Sequence, residues 1–187
     1  SQNDFRGGLM AGVLGTQMSG DRLAGFDKVG LQAGAFVGIP LGSSLSAEIE
    51  LYYITKGSQQ PTNPDDPDRS TFGYRFNYVE MPLMLQYNIT DSWRGIAGGY
   101  FGVLTSSKVI FNNIDRPIEN PEPSSTDIGL IIGAGYQITP RFQVELRYSQ
   151  SIIPVRDFAD TGFDPIFDAG MYHSILHFVL KANLSKK

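Results

Sequence analysis

Three features of this 187-residue sequence predict an all-β fold, an eight-stranded antiparallel up-and-down barrel that crosses a membrane. Apolar residues recur with period two, the alternating segments are long, and the connections between them alternate between short and long. Helical periodicity is hard to find anywhere in the chain. Residues 1–187 read as a single outer-membrane β-barrel domain.

The strands follow in order. Residues 6–17 open the series, with small residues on both faces. Over 29–39, Val29, Leu31, Ala33, Ala35, Val37 and Ile39 alternate with Gly30, Gln32, Gly34, Phe36 and Gly38. Over 45–56, Leu45, Ala47, Ile49, Leu51 and Tyr53 oppose Ser46, Glu48, Glu50, Tyr52 and Lys56. Val79, Met81, Leu83, Leu85 and Tyr87 then oppose Glu80, Pro82, Met84, Gln86 and Asn88. Residues 93–107 form a fifth strand, again with small residues on both faces. Ile128, Leu130, Ile132, Ala134, Tyr136 and Ile138 oppose Asp127, Gly129, Gly133, Gly135 and Gln137. Phe142, Val144, Leu146 and Tyr148 oppose Gln143, Glu145 and Arg147. In the last strand Tyr172, Leu176, Phe178, Leu180, Ala182 and Leu184 oppose His173, His177, Lys181 and Asn183. Runs of about 10 to 16 residues exceed the ~5 to 6 usual in soluble sheets and suit a tilted bilayer crossing.

The connections 40–44, 88–92 and 138–141 are tight. Residues 18–28, 58–72, 106–125 and 150–170 are long and rich in Gly, Pro, Asn and Asp. Strict alternation puts every long loop at one end of the barrel. Short periplasmic turns and long extracellular loops are the habit of outer-membrane barrels, and an even strand count returns both termini to the periplasmic side.

Alternation alone does not say which face points outward, and a soluble ligand-binding barrel would turn its apolar face inward. The charge distribution decides. Glu48, Glu50, Lys56, Glu80, Asp127, Glu145, Arg147 and Lys181 all fall on the polar face, where mixed signs can pair across a narrow lumen. The opposite face is nearly free of charge, as hydrocarbon demands. Only 18% of residues are charged, thin for the outside of a soluble barrel. Tyr53, Tyr87, Trp93, Tyr136, Tyr148 and Tyr172 sit near strand ends, where an interfacial girdle belongs. Mean hydropathy is −0.14, with no apolar run of transmembrane-helix length. Glycine makes up 21 of the 187 residues, about 11% against an average near 7%, which fits a tightly curved sheet.

Composition also excludes. With no Cys there is no disulfide scaffold, thiolate metal site or Cys nucleophile. A net charge of −4 argues against nucleic acid. The four long loops hold 12 Asp/Glu and 6 Lys/Arg, so the charge excess is acidic and extracellular. Divalent cations bridging these loops to lipid head groups are one reading, and simple solvation of the loops is the other. The polar start SQNDF fits either the residue of signal-peptide removal or a trimmed chain.

FNYVEMPLMLQYNI (76–89) resembles the Tyr-x-Glu-x-Pro-Leu stretch of the PorT-like family, small outer-membrane β-barrels of the Bacteroidetes type. GLMAGVLGTQMSGD and LSAEIELYYITKG are similar to that family's Gly-rich first strand and its Glu-x-x-Tyr-x-x-Lys-Gly strand. GIAGGYFGVL (95–104), DIGLIIGAGYQI (127–138) and VELRYSQSI (144–152) resemble later strands in the same order. The resemblance implies an eight-stranded barrel without a general activity, tied by the family's name to a secretion and gliding apparatus. One departure is the C-terminus: Leu184 and a basic tail stand where such barrels often end on an aromatic residue.

Candidate chemistry is sparse. His173 and His177 share a strand face, with Glu145 or Asp127 as conceivable partners, but Cα atoms four residues apart on a strand are ~13 Å apart, too far to share an ion. Lumenal packing and hydrogen bonding is the better reading. A lipid-modifying enzyme would need a Ser–His pair. Adjacent His173 and Ser174 point to opposite faces, whereas Ser149 and Ser151 lie one strand away. Asp65, Asp66 and Asp68 lack the regular frame of a calcium loop and read as a turn. Phe158, Phe163 and Phe167, on an acidic loop, read either as a contact surface or as a cap folded over the barrel mouth. No Gly-rich phosphate loop stands at a strand-to-helix turn.

The expectation is a non-enzymatic bacterial outer-membrane barrel with a plugged lumen and no cofactor or metal. It would act as a scaffold, adhesion or accessory subunit of an envelope assembly, with outer-membrane lipid and other envelope proteins as partners. An envelope-lipid deacylase or acyltransferase is the second reading, and a soluble ligand-binding barrel the third. The sequence carries nothing on oligomeric state.

Overall fold

The computed structural model describes residues 5–19, 28–59, 72–111, 114–117, 124–153, 156–157 and 170–185. These residues form β1 (Arg6–Ser19), β2 (Lys28–Pro40), β3 (Leu45–Gln59), β4 (Phe72–Asn88), β5 (Trp93–Phe111), β6 (Ile114–Pro117), β7 (Thr126–Gln137), β8 (Phe142–Ser151), β9 (Arg156–Asp157) and β10 (Gly170–Asn183). Eight of them make the wall in the order β1-β2-β3-β4-β5-β7-β8-β10, every pairing antiparallel. β10 then pairs with β1 from Gly8↔Asn183 to Ser19↔Tyr172, which closes the sheet and leaves the wall no free edge.

The departures from expectation lie at the long-loop end. β1 runs to Ser19, β3 to Gln59 and β5 to Phe111 before turning back through β6, and β9 pairs with β10, so strand structure reaches into all four long connections. Beyond the lipid neither face must be apolar, so these extensions carry no period-two signature. A register shift between Asn77 and Tyr78 marks the change, with the Asn77 amide donating to Ser106 Oγ at 2.7 Å.

Two tight turns share one device. In Ile89–Trp93 and Ile138–Phe142 the threonine hydroxyl accepts the backbone N–H three residues on, Trp93 to Thr90 at 2.9 Å and Phe142 to Thr139 at 3.0 Å. Each turn is completed by a backbone bond, Ile89 N–H to Trp93 O at 2.9 Å and Ile138 N–H to Phe142 O at 3.0 Å.

Burial is inverted relative to a soluble domain. Leu31, Leu83 and Ile132 are about three-fifths exposed, while the intervening Gln32, Met84 and Ile131 are 3% exposed or less. Trp93 and Tyr136 stack at 4.9 Å on the outer face at the short-turn end, with Tyr87 and Phe142 also exposed near strand ends there. The lumen also holds apolar side chains. Met10, Leu14, Phe36, Tyr52, Ile54, Phe76, Tyr78, Ile175 and Val179 form one cluster, and Met84, Ile96, Tyr100 and Ile131 a second.

Candidate functional site

All eight charged residues assigned to the polar face project into the lumen and are buried, in two separate groups. In the first, Arg147 on β8 lies at the centre. Its Nη1 and Nη2 donate to the two oxygens of Glu50 at 2.8 and 2.6 Å, and its Nε donates to Glu145 Oε2 at 2.6 Å. Lys181 on β10 joins Glu50 at 2.6 Å and Glu145 at 3.1 Å, and also pairs with Glu48. The fork-shaped guanidinium meets one carboxylate face-on across the barrel and another along its own strand, an arrangement that a lysine could not reproduce.

In the second group Lys56 bridges Glu80 and Asp127, the latter at 2.7 Å. Its ammonium lies 4.4 Å from the Tyr100 ring centroid and 5.2 Å from that of Tyr78, while the Tyr100 hydroxyl reaches both Asp127 oxygens at 3.3 Å. The sequence pattern groups Glu48, Glu50 and Glu80 as one acidic patch served by Arg147 and Lys181, but Glu80 takes Lys56 instead. The β3–β4 register, which pairs Glu80 with Tyr52 and Lys56 with Phe76, sets it diagonal to Lys56, and Arg147 and Lys181 serve the first group.

Three carboxylates to two cations, and two to one, leave each group one positive charge short. Among the described residues, two further cations stand near the first group without forming an ion pair with it. Arg94 is buried, and its Nη1 donates to Gln86 Oε1 at 3.4 Å while the Gln86 amide donates to Glu48 at 2.7 Å, so a glutamine links the arginine to the first group. Arg6 lies at the same end, with Nη2 donating to Ser46 at 3.2 Å. Gln143 donates to Glu145. Arg6 and Arg94 stand at strand starts, Arg94 just after the 88–92 turn, where a charge reads equally well as solvated.

Glycine makes this lumen fit. A Cβ at Gly133 would lie 3.1 Å from Arg147 Cγ, at Gly102 3.0 Å from Glu80 Cγ, and at Gly12 3.2 Å from Gln32 Cγ. Large polar side chains lie across glycines of neighbouring strands. The surplus glycine and the buried charge are two halves of one packing solution.

The histidines fall on the inner face. His177 Nδ1 meets Gln32 Oε1 at 2.9 Å and its Nε2 meets Ser149 Oγ at 2.8 Å, a contact diagonal to the β8–β10 register. Its hydrogen-bond partners are an amide and a hydroxyl rather than the carboxylates Glu145 or Asp127. His173 packs edge-on against Phe76 and Tyr78 at 5.6 and 5.8 Å. Ser174 bonds Gln150 at 2.6 Å, and Ser151 Oγ accepts the His173 N–H at 2.8 Å. Ser149 and His177 thus have the separation of a nucleophile and its base, with Gln32 orienting the imidazole, but both are at most 2% exposed. Asp65, Asp66, Asp68, Phe158, Phe163 and Phe167 lie outside the described residues.

A closed wall with an apolar exterior, a lumen filled by ion pairs and the turns 40–44, 88–92 and 138–141 together at one end define a small transmembrane β-barrel. Residues 1–157 match the family described as Outer membrane protein beta-barrel domain, and the chain belongs to that family, a bacterial outer-membrane barrel. The match stops short of the closing strand β10, which the structural comparisons include. Neisserial surface protein A (NspA) superposes with a TM-score of 0.57 at 12% identity, covering 96% of this chain and 97% of that one. Ail, the attachment invasion locus protein of Yersinia pestis, gives 0.55 at 9% identity over 96% and 98%. Ail in complex with the heparin analogue sucrose octasulfate gives 0.54 at 10% over 97% and 99%. At these identities the likeness is one of fold. Comparison with curated proteins returned no match.

Proposed function

We propose that this chain is a non-enzymatic barrel with a plugged lumen. It acts through its extracellular loops and outer wall as a scaffold, adhesion or accessory subunit of an envelope assembly of the secretion or gliding type. The observation that carries this reading is Arg147, 1% exposed and held by Glu50 and Glu145 in the middle of the lumen. A barrel of this strand number is just wide enough for side chains to fill, and here they are cross-linked by ion pairs. Transport is thereby disfavoured, leaving the loops as the functional part. Their acidic excess, 12 carboxylates to 6 cations, would repel a sulfated glycan of the kind bound to Ail, so a neutral or basic partner suits them better. In planar bilayers the purified barrel should give no conductance steps above baseline; steady ohmic steps would defeat the plugged-lumen reading. Replacing residues 58–72 by a short turn should leave the barrel folded and abolish its association with envelope proteins in native membranes.

The Ser149–His177 contact supports a second reading, an envelope-lipid hydrolase. Hydrolysis would need a lipid ester to reach a hydroxyl enclosed between Arg147, Gln32 and the histidine. We therefore expect Ser149 to resist a fluorophosphonate probe in folded, detergent-solubilised protein. Labelling that disappears in Ser149→Ala would overturn the non-enzymatic reading.

A further inference from the structure

The short-turn mouth of the barrel holds a cavity of about 490 Å³ whose lining includes Arg6, Arg141, Lys181, Gln137, Gln143 and Asn183. Its cations differ in how they are satisfied. Lys181 already serves three carboxylates. Arg6 has one side-chain hydrogen bond, to the Ser46 hydroxyl, and neither Arg6, Arg94 nor Arg141 forms an ion pair among the described residues. Arg94 lies directly behind the lining. It is 7% exposed, spends Nη2 on the cavity residue Gln137 at 2.7 Å, and leaves its Nε without a hydrogen-bond partner. The guanidinium of Arg6 passes over Gly38, where a Cβ would stand 3.4 Å from Nη2 and 3.6 Å from Glu48 Oε2, yet the two side chains form no ion pair.

A buried guanidinium with an idle donor beside a second one without a carboxylate is a costly arrangement unless an anion completes it. The lumenal carboxylate beside Arg6, Glu48, already takes Lys181 and the Gln86 amide, and the one acidic residue among the described lining residues, Asp91, is exposed on the β4–β5 turn. We propose that this mouth is a binding site for a carboxylate carried on an acidic peptide segment of a periplasmic protein. The guanidinium fork of Arg6 meets the carboxylate, Arg141 attracts it from the rim, and Arg94 supplies positive potential from behind. Peptide is favoured over a bare anion because Phe5, Phe36, Ile138 and Pro140 give the cavity apolar walls, and because its volume far exceeds that of one carboxylate. The inference is independent of whether the extracellular loops engage a partner.

Titration calorimetry on the folded full chain in detergent tests it, with acetyl-triglutamate-amide, acetyl-triglutamine-amide and inorganic phosphate as probes. The glutamate peptide should bind saturably at low salt and weaken as salt rises, and the glutamine peptide should not bind. Arg6→Gln should weaken the glutamate peptide by about tenfold, the loss of one charge-assisted contact. Arg141→Gln, at an exposed position that folding does not need, should weaken it by a smaller factor. Absence of binding, or binding unchanged in both variants, would refute the site. Phosphate binding as tightly as the peptide would overturn the assignment to a peptide carboxylate.

Discussion

Arg147→Ala should lower the melting temperature of the barrel in detergent more than removal of any other charge in the lumen, at a cost of about 3 to 5 kcal/mol. The reason is the count of what it leaves behind. Glu50 loses both bidentate bonds, at 2.8 and 2.6 Å, and Glu145 loses its partner at 2.6 Å. Three buried carboxylates, Glu48, Glu50 and Glu145, would then share the single ammonium of Lys181. Arg147→Lys should recover part of the loss, since it keeps the charge and gives up the fork. A triple variant, Arg147→Met with Glu50→Gln and Glu145→Gln, should fall closer to wild type than Arg147→Ala does, because it removes the unpaired charges together with the pair. Heat-modifiable gel mobility reports whether each variant folds, and circular-dichroism melting gives the ranking. An Arg147→Ala barrel that folds and melts like wild type would show that the network contributes nothing to stability.

The wall of this molecule was legible because lipid imposes a rule on every second residue. Alternation set Leu31, Leu83 and Ile132 on one face, the charges on the opposite face turned that side outward, and the unequal connections oriented the barrel. What sits on the inner face was only half legible. Ile175 and Val179 are as apolar as the outward Leu176 and Phe178, and it is their register with His173 and His177 that turns them inward. Partners within the lumen were not legible at all. Whether Glu80 meets Lys56 or Lys181 depends on the stagger of the strands, which no local pattern encodes. The same holds for Ser149 and His177, 28 residues apart in sequence and joined only by the diagonal of the β8–β10 pairing. Arg6 and Arg94 escaped notice because a strand-end arginine has no signature that separates burial from solvation.

Gly34→Ala should prevent most of the protein from reaching the folded barrel, although it adds a single methyl group. Gly34 on β2 faces Tyr52 of β3 across the inner surface, and a Cβ there would fall 2.1 Å from the Leu51 carbonyl oxygen and 2.5 and 2.6 Å from Tyr52 Cβ and Cα. None of these atoms is the far end of a flexible side chain. β2 is held on both sides, Gly34 being paired with Met10 of β1 and with Tyr52, so relief requires the sheet itself to move. Overpacking of ordinary cores costs about 1 to 3 kcal/mol; a clash with backbone on a doubly paired strand belongs at or above the top of that range. Gly42→Ala provides the matched control, because a Cβ in that turn meets nothing within 4 Å and the substitution should leave melting unchanged. Truncating the ring in Gly34→Ala with Tyr52→Ala should give no rescue, since the collision is with Tyr52 Cβ and backbone. Gly129→Ala offers the contrast. There a Cβ would also strike the Tyr100 ring, at 2.4 Å, so Tyr100→Leu should restore part of the folding yield, with the Gln150 carbonyl at 2.3 Å limiting it. If Gly34→Ala folds with wild-type yield, the sheets can separate at this point. The glycines would then owe their place in the lumen to something other than the close approach of strands that lets a small barrel enclose its charged core.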